Sequence, residues 1–210
     1  MSKRVAQLAV SLLISLAAPL ALAAELAPDA QMKALSEEVI AAVKKDKDLH
    51  AGNPRKISEL VEIKVVPYFD FERMTQIAMG ANWRRATPQQ RAQLAAEFKT
   101  LLVRTYSGAV TGYRDQTIEF KPAHLRPGDT DVTVRSEFKQ AGAQALAIDY
   151  QMAKADTGWK VYDVRVGGVS LVTTYRDSFA DIVRSRGVDG LIDMLASKNH
   201  DNNARAASRS

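Results

Sequence analysis

Apolar residues recur at two different periods along this chain, and the change of period divides it. In PDAQMKALSEEVIAAVKKD, Met32, Leu35, Val39 and Val43 stand three or four apart, the spacing of one helix face, with Asp29 the expected N-cap. PRKISELVEIKVV repeats the pattern through Ile57, Leu60, Val61 and Val65, and Pro67 ends it. Asp70 is then placed to cap a short helix whose buried face carries Phe71, Met74 and Ile77 or Ala78. Phe69 and Met74 fall at the staple positions, and Gly80 is the stop. The longest helix opens on a capping box, Thr87 with Gln90, and on Pro88 at its first position. Its apolar stripe runs from Leu94 and Phe98 through Leu101, Leu102 and Tyr106 to Tyr113.

Beyond Gln116 the period becomes two. QTIEF, DVTVRSEF, QALAIDYQMA and GWKVYDVRV read as strands, divided by the turn-forming RPGDT, QAGA and ADTG. Val132, Val134 and Phe138 share one face, as do Leu146, Ile148, Tyr150 and Met152. In the last strand Tyr162, Val164 and Val166 alternate with Trp159 and Val161, so this sheet is expected to be covered, at least in part, on both faces. After Gly167 and Gly168 the helical spacing returns, is broken at Gly187, and finishes with Leu191, Ile192 and Leu195. Helices, then a meander, then helices predict an α+β domain with a four-stranded, or five-stranded, antiparallel twisted sheet.

The first residues change the picture of where this domain works. MSKR followed by VAQLAVSLLISLAAPLALA, with Ala21 and Ala23 at the small-residue positions, is the pattern of a secretory signal. A membrane anchor over Val5 to Ala23 is the competing reading. Pro19, the alanine-rich end and the acidic AELAPD that follows favour cleavage after Ala23. Three segments result: a signal at 1–23, a single domain at 24–197, and a polar tail at 198–210 expected to be disordered. Losing Lys3 and Arg4 lowers the formal charge of +5, and the remaining charges are interspersed, which argues against nucleic acid as a partner.

Catalytic motifs are missing. The chain has no cysteine, and His50, His124 and His200 stand apart from one another and from any metal-ligand spacing. No nucleophile elbow, Walker loop or dinucleotide fingerprint occurs; VGGVSLV has glycines without the rest. Asp149 and Asp163, on neighbouring expected strands, are the best carboxylate pair, and pairing with Arg135 and Arg165 accounts for them equally well. No cofactor or metal is expected.

Two long blocks then resemble a known family. VVPYFDFERMTQIAMGANWRRATPQQRAQLAAEFKTLLVRTYSGAV and WKVYDVRVGGVSLVTTYRDSFADIVRSRGVDGLIDML are similar to the MlaC family of periplasmic phospholipid-binding proteins, also called toluene-tolerance proteins. The shared pattern rests on Pro67, Phe69, Asp70, Phe71, Gly80, Trp83, Ala86, Thr87, Pro88, Gln90 and Arg91. In the second block it rests on Trp159, Tyr162, Asp163, Val164, Gly168 to Val172, Tyr175 and Arg176. The resemblance implies a carrier, not an enzyme. It would hold the acyl chains of a glycerophospholipid in an apolar pocket and shuttle it through the periplasm. Its partners would be an outer-membrane lipoprotein complex and an inner-membrane ABC transporter, and its role the upkeep of outer-membrane lipid asymmetry. The lining expected on that basis is Val132, Val134, Leu146, Ile148, Tyr150, Val164 and Val166 from strands, with Leu102, Tyr106, Val110, Val169 and Val172 from helices. Arg176 is the candidate contact at the head-group rim. Two other classes fit the residues alone: a small periplasmic enzyme using Asp149 or Asp163, and a chaperone or adaptor for apolar peptides.

Overall fold

The computed structural model describes residues 26–110 and 116–207, with side chains for 26–108 and 116–200. The signal expected at 1–23 and the side chain of Val110 lie outside the described residues. Helix α1 (Pro28–Lys45) starts on Pro28 rather than on an Asp29 cap; Ala27 holds the cap position and Asp29 sits in the first turn. Short helices α2 (Lys47–His50) and α3 (Pro54–Leu60) follow, each capped as the sequence requires. The Asp46 side chain accepts from the Asp48 and Leu49 amides, and that of Asn53 from Arg55 and Lys56.

The expected continuous helix to Val65 then widens. Val61–Val65 is a π-turn, and Val66–Tyr68 tightens into a 3₁₀ turn around Pro67. Helix α4 (Phe71–Met79) is capped by Asp70, whose Oδ1 accepts from the Arg73 amide at 2.9 Å. Gly80, at φ 54°, ends it in a conformation that a side chain would resist. A 3₁₀ segment (Gly80–Arg85) leads to α5 (Pro88–Tyr106), where both hydrogen bonds of the capping box form, at 3.0 and 3.2 Å.

The sheet is a five-stranded antiparallel meander, β1 (Thr117–Phe120), β2 (Asp131–Lys139), β3 (Leu146–Ala155), β4 (Gly158–Val166) and β5 (Val169–Ser170), in sequence order. The two-residue β5 lies where the sequence had suggested a direct run into helix. One irregularity corrects the expectation of a sheet apolar on both faces. Gln151 pairs with Asp163 and Met152 with Val161, so Tyr162 is an extra residue in β4. The bulge resets the alternation: Trp159 and Val161 before it and Val164 and Val166 after it all turn to one side. That side also carries Val132, Val134, Tyr150 and Met152, while Arg135, Asp149 and Arg165 line up across the other.

The final helix α6 (Arg176–Ala207) is interrupted at Gly187, whose φ of 73° is non-helical. It continues to Ala207, through most of the 198–210 segment expected to be a disordered tail. Asn199, four residues beyond the fully buried Leu195, is itself buried, and its Nδ2 donates to the Glu97 carbonyl (3.0 Å) and Oε2 (2.7 Å). A polar residue at a stripe position had concealed this turn from a reading by hydrophobicity.

Among the described residues packing divides into three cores. The largest joins α4, α5 and α6 around Leu94, Phe98, Phe179 and Leu191. The second lays Met32 and Leu35 of α1 on Val134, Met152, Trp159 and Val161 of the sheet. The third gathers Leu49, Ile57, Val61 and Val103. The edge of β4 left open below β5 is closed by chain rather than by another strand. The Gln31 side chain donates to the Trp159 carbonyl at 2.8 Å, and the Asp70 amide to that of Val161 at 2.8 Å. This closure draws the Phe69–Phe71 segment against the sheet.

Candidate functional site

The three cores meet without merging. Between them lies a cavity of ≈ 170 Å³, lined by Val61, Val65, Val66, Phe69, Phe71, Met74, Leu102, Val103, Tyr106, Ser107, Val164 and Leu171. Each wall has a local cause. In a turn closed by i→i+5 bonds, residues four and five apart share a face, so the π-turn brings Val61, Val65 and Val66 to the same side. The Asp70 cap fixes where α4 begins, and the Phe69 and Phe71 rings on either side of it stack with centroids 5.9 Å apart. Leu102, Val103 and Tyr106 come from the last turn of α5. Val164 and Leu171 are joined across the β4–β5 hairpin, the Leu171 amide donating to the Val164 carbonyl at 2.8 Å.

Chemically the wall is hydrocarbon apart from the hydroxyls of Tyr106 and Ser107. Burial first, and the charge and hydrogen bond of neighbouring Tyr175 besides, push the Tyr106 hydroxyl up to about 12, still further from ionising than an ordinary tyrosine. No carboxylate, imidazole, ammonium or guanidinium belongs to the lining. Asp149 and Asp163 lie on the opposite face of the sheet, in different cross-strand rows. Asp163 is buried there, accepting from the Ser170 hydroxyl at 2.8 Å and standing 3.7 Å from Arg165 Nε. Among the described residues no cluster of acids and histidines could hold a metal, and no helix is long and apolar enough to cross a membrane.

A polar clasp ties α4 to the sheet. The Arg73 guanidinium lies 3.6 Å from the Tyr162 ring centroid and 2.9 Å from Asp131 Oδ2, while the Tyr162 hydroxyl donates to Asp131 Oδ1 at 2.7 Å. The bulge that makes Tyr162 an extra residue is therefore what presents it to α4.

Of the lining expected from sequence, the structure brings Leu102, Tyr106 and Val164 to the cavity. Val134 is fully buried under α1, with Val132 and Tyr150 beside it. Val172 is fully buried in the helical core. Ile148 and Val166 are half-buried on the apolar face, and Leu146 and Val169 are exposed. Arg176 is elsewhere: its Nε and terminal nitrogen donate to the Ile77 carbonyl at 3.2 and 3.0 Å, beside Gly80, which caps the end of α4. The walls that sequence reasoning missed are Val61, Val65, Val66, Phe69, Phe71, Met74, Val103, Ser107 and Leu171. The paired Val65–Val66 before Pro67 and the aromatics around Asp70 were the available signal. By spacing alone they read as helix face and staple.

A family model described as MlaC protein matches residues 33–197, most of the chain. The chain belongs to the MlaC family. Among its relatives, toluene tolerance protein Ttg2D of Pseudomonas putida is 27% identical over 180 residues, covering 85% of this chain and 83% of the relative. The intermembrane phospholipid transport system binding protein MlaC of Haemophilus influenzae is 22% identical over 172 residues, covering 80% of each. A phospholipid-binding protein from Ralstonia solanacearum, solved at 1.53 Å in complex with a phospholipid, matches with a TM-score of 0.75 and 44% identity. That match spans 83% of this chain and 98% of the solved one, and supports the α+β fold with its five-stranded sheet.

Proposed function

We propose that this protein is a periplasmic phospholipid carrier. It takes up a glycerophospholipid with the acyl chains inside, between sheet and helices, and moves it between an outer-membrane complex and an inner-membrane ABC transporter. The observation that carries this reading is the carbon-walled cavity at the junction of three cores, in a chain whose relatives bind phospholipid. Two ordinary acyl chains hold about 30 methylenes, and leaving them in water costs about 24 kcal/mol at roughly 0.8 kcal/mol each. A carrier must therefore cover them with carbon, and an uncharged wall does so without stranding a polar group.

Head-group selectivity is expected to be weak, since the lining holds no cation to grip a phosphate and Arg176 is engaged with Ile77. Catalysis is not part of the reading: the carboxylates Asp149 and Asp163 stand across the sheet from the cavity. Native mass spectrometry of protein taken from a bacterial periplasm under mild conditions tests the proposal. Phospholipid bound at a fixed stoichiometry is the expected result. Protein that arrives lipid-free and also fails to move phospholipid between vesicles would contradict it.

A further inference from the structure

We propose that the apolar end of the β4–β5 hairpin is the route by which acyl chains leave a bilayer and enter the cavity. This rests on the carrier reading above. Two of the large hydrophobic side chains most open to solvent, Val169 (57% exposed) and Leu146 (41%), lie at this one place. A methyl group added to Gly167, in the β4–β5 turn, would sit 3.7 Å from Leu146 Cδ1, so the Leu146 side chain lies against that turn.

The patch is continuous with the cavity. Val164 and Leu171 line the cavity and bond to each other across the hairpin. Two residues further along each strand are Val166 and Val169, which pair directly, and Ile148 of β3 pairs with Val166. Residues two apart on a strand share a face about 7 Å apart. An apolar strip therefore leads from the cavity wall, through Val166 and Ile148, to open side chains one pleat away. The cross-strand row through Ile148 and Val166 contains one polar side chain, Ser136, and its hydroxyl is turned to the Ile148 carbonyl at 3.2 Å.

Size gives the strip its occupant. The cavity's ≈ 170 Å³ is close to the engineered cavity of about 150 Å³ that takes one benzene, far less than two acyl chains need. Most of the hydrocarbon must meet other apolar surface on its way in, and this strip adjoins the cavity. Its exposed end is small, as suits transient contact with a bilayer. The hairpin turns through Gly167 and Gly168 at φ 57° and 83°, so the chain reverses there with no side chain from the turn standing over the entrance.

The test is the initial rate at which delipidated protein takes fluorescent-tailed phospholipid from protein-free phosphatidylethanolamine–phosphatidylglycerol vesicles. Val169→Asp and Leu146→Asp are expected to slow loading at least about tenfold, because a carboxylate on the path must be desolvated. Their melting temperatures should stay at the wild-type value, since both side chains already face water. Val169→Thr, which keeps size and β-branching, should slow loading in the same direction by less. Leu125→Asp, an exposed leucine in the loop between β1 and β2, should load normally. Wild-type protein that takes up no lipid from these vesicles overturns the route, while the carrier reading falls only if protein from the periplasm is also lipid-free by native mass spectrometry. Wild type that loads, with Val169→Asp and Leu146→Asp matching it, overturns the route alone. Equal slowing in Leu125→Asp also overturns it, since any added charge would then suffice.

Discussion

At the scale of single residues, the difference between a cavity wall and an ordinary core position is what a larger side chain does there. Adding methylenes to a filled core costs roughly 1–3 kcal/mol, because neighbours leave their rotamers. Val164 faces open volume, so Val164→Phe should leave the melting temperature at or above the wild-type value while lowering phospholipid occupancy at least about tenfold. Thermal unfolding beside native mass spectrometry reads both quantities. A clear drop in melting temperature would mean that Val164 already packs fully. The same distinction explains what could be read from sequence at this scale. Phe98, Leu94 and Leu191 are core by periodicity and are fully buried. Leu102 and Val103 are adjacent on the same helix and equally apolar, and nothing in their spacing says that their outer atoms border a void.

At the scale of elements, most boundaries were legible because they depend on short-range chemistry. The Thr87 capping box, the Asp70 cap, the Gly80 stop and the Gly187 break all fall where the residues put them. The π-turn and the β4 bulge were not legible, since each inserts one residue into a regular pattern for the benefit of distant partners. Val61, Val65 and Val66 fit a helix face well enough to hide the first. Tyr162 hid the second, and its partners Arg73 and Asp131 are far away in sequence. The π-turn offers an experiment of its own. Ile63 is 69% exposed, so deleting it removes no core side chain and allows i→i+4 bonding to resume. Val65 and Val66 would then stand three and four residues after Val61, still on its face but in a tighter turn, so the wall would keep its three valines and narrow. Deletion of Ile63 is expected to preserve or raise the melting temperature and to lower lipid occupancy. Undiminished occupancy in a folded deletion variant would show that the π-turn does not shape the site.

At the scale of the whole molecule, the division into three cores is the feature on which transport depends. A single merged core has no interior place for cargo. Three cores held by separate contacts leave a seam that hydrocarbon can enter, with the Arg73–Asp131–Tyr162 clasp tying α4 to the sheet. The seam is narrow as it stands, so loading must widen it. The α+β class, the meander and the helix order followed from the switch between periods. The seam did not, because periodicity marks which faces avoid water and is silent on how completely they fill.

The most direct test is NMR of methyl-labelled protein loaded with a phospholipid whose acyl chains carry the only other protons observed. Nuclear Overhauser contacts from acyl methylenes to the methyls of Val61, Leu102, Val164 and Leu171 are the predicted result, with none to Val43 or Leu195, which are buried away from the cavity lining. A lipid-loaded protein whose acyl protons touch none of the four cavity methyls would contradict the account.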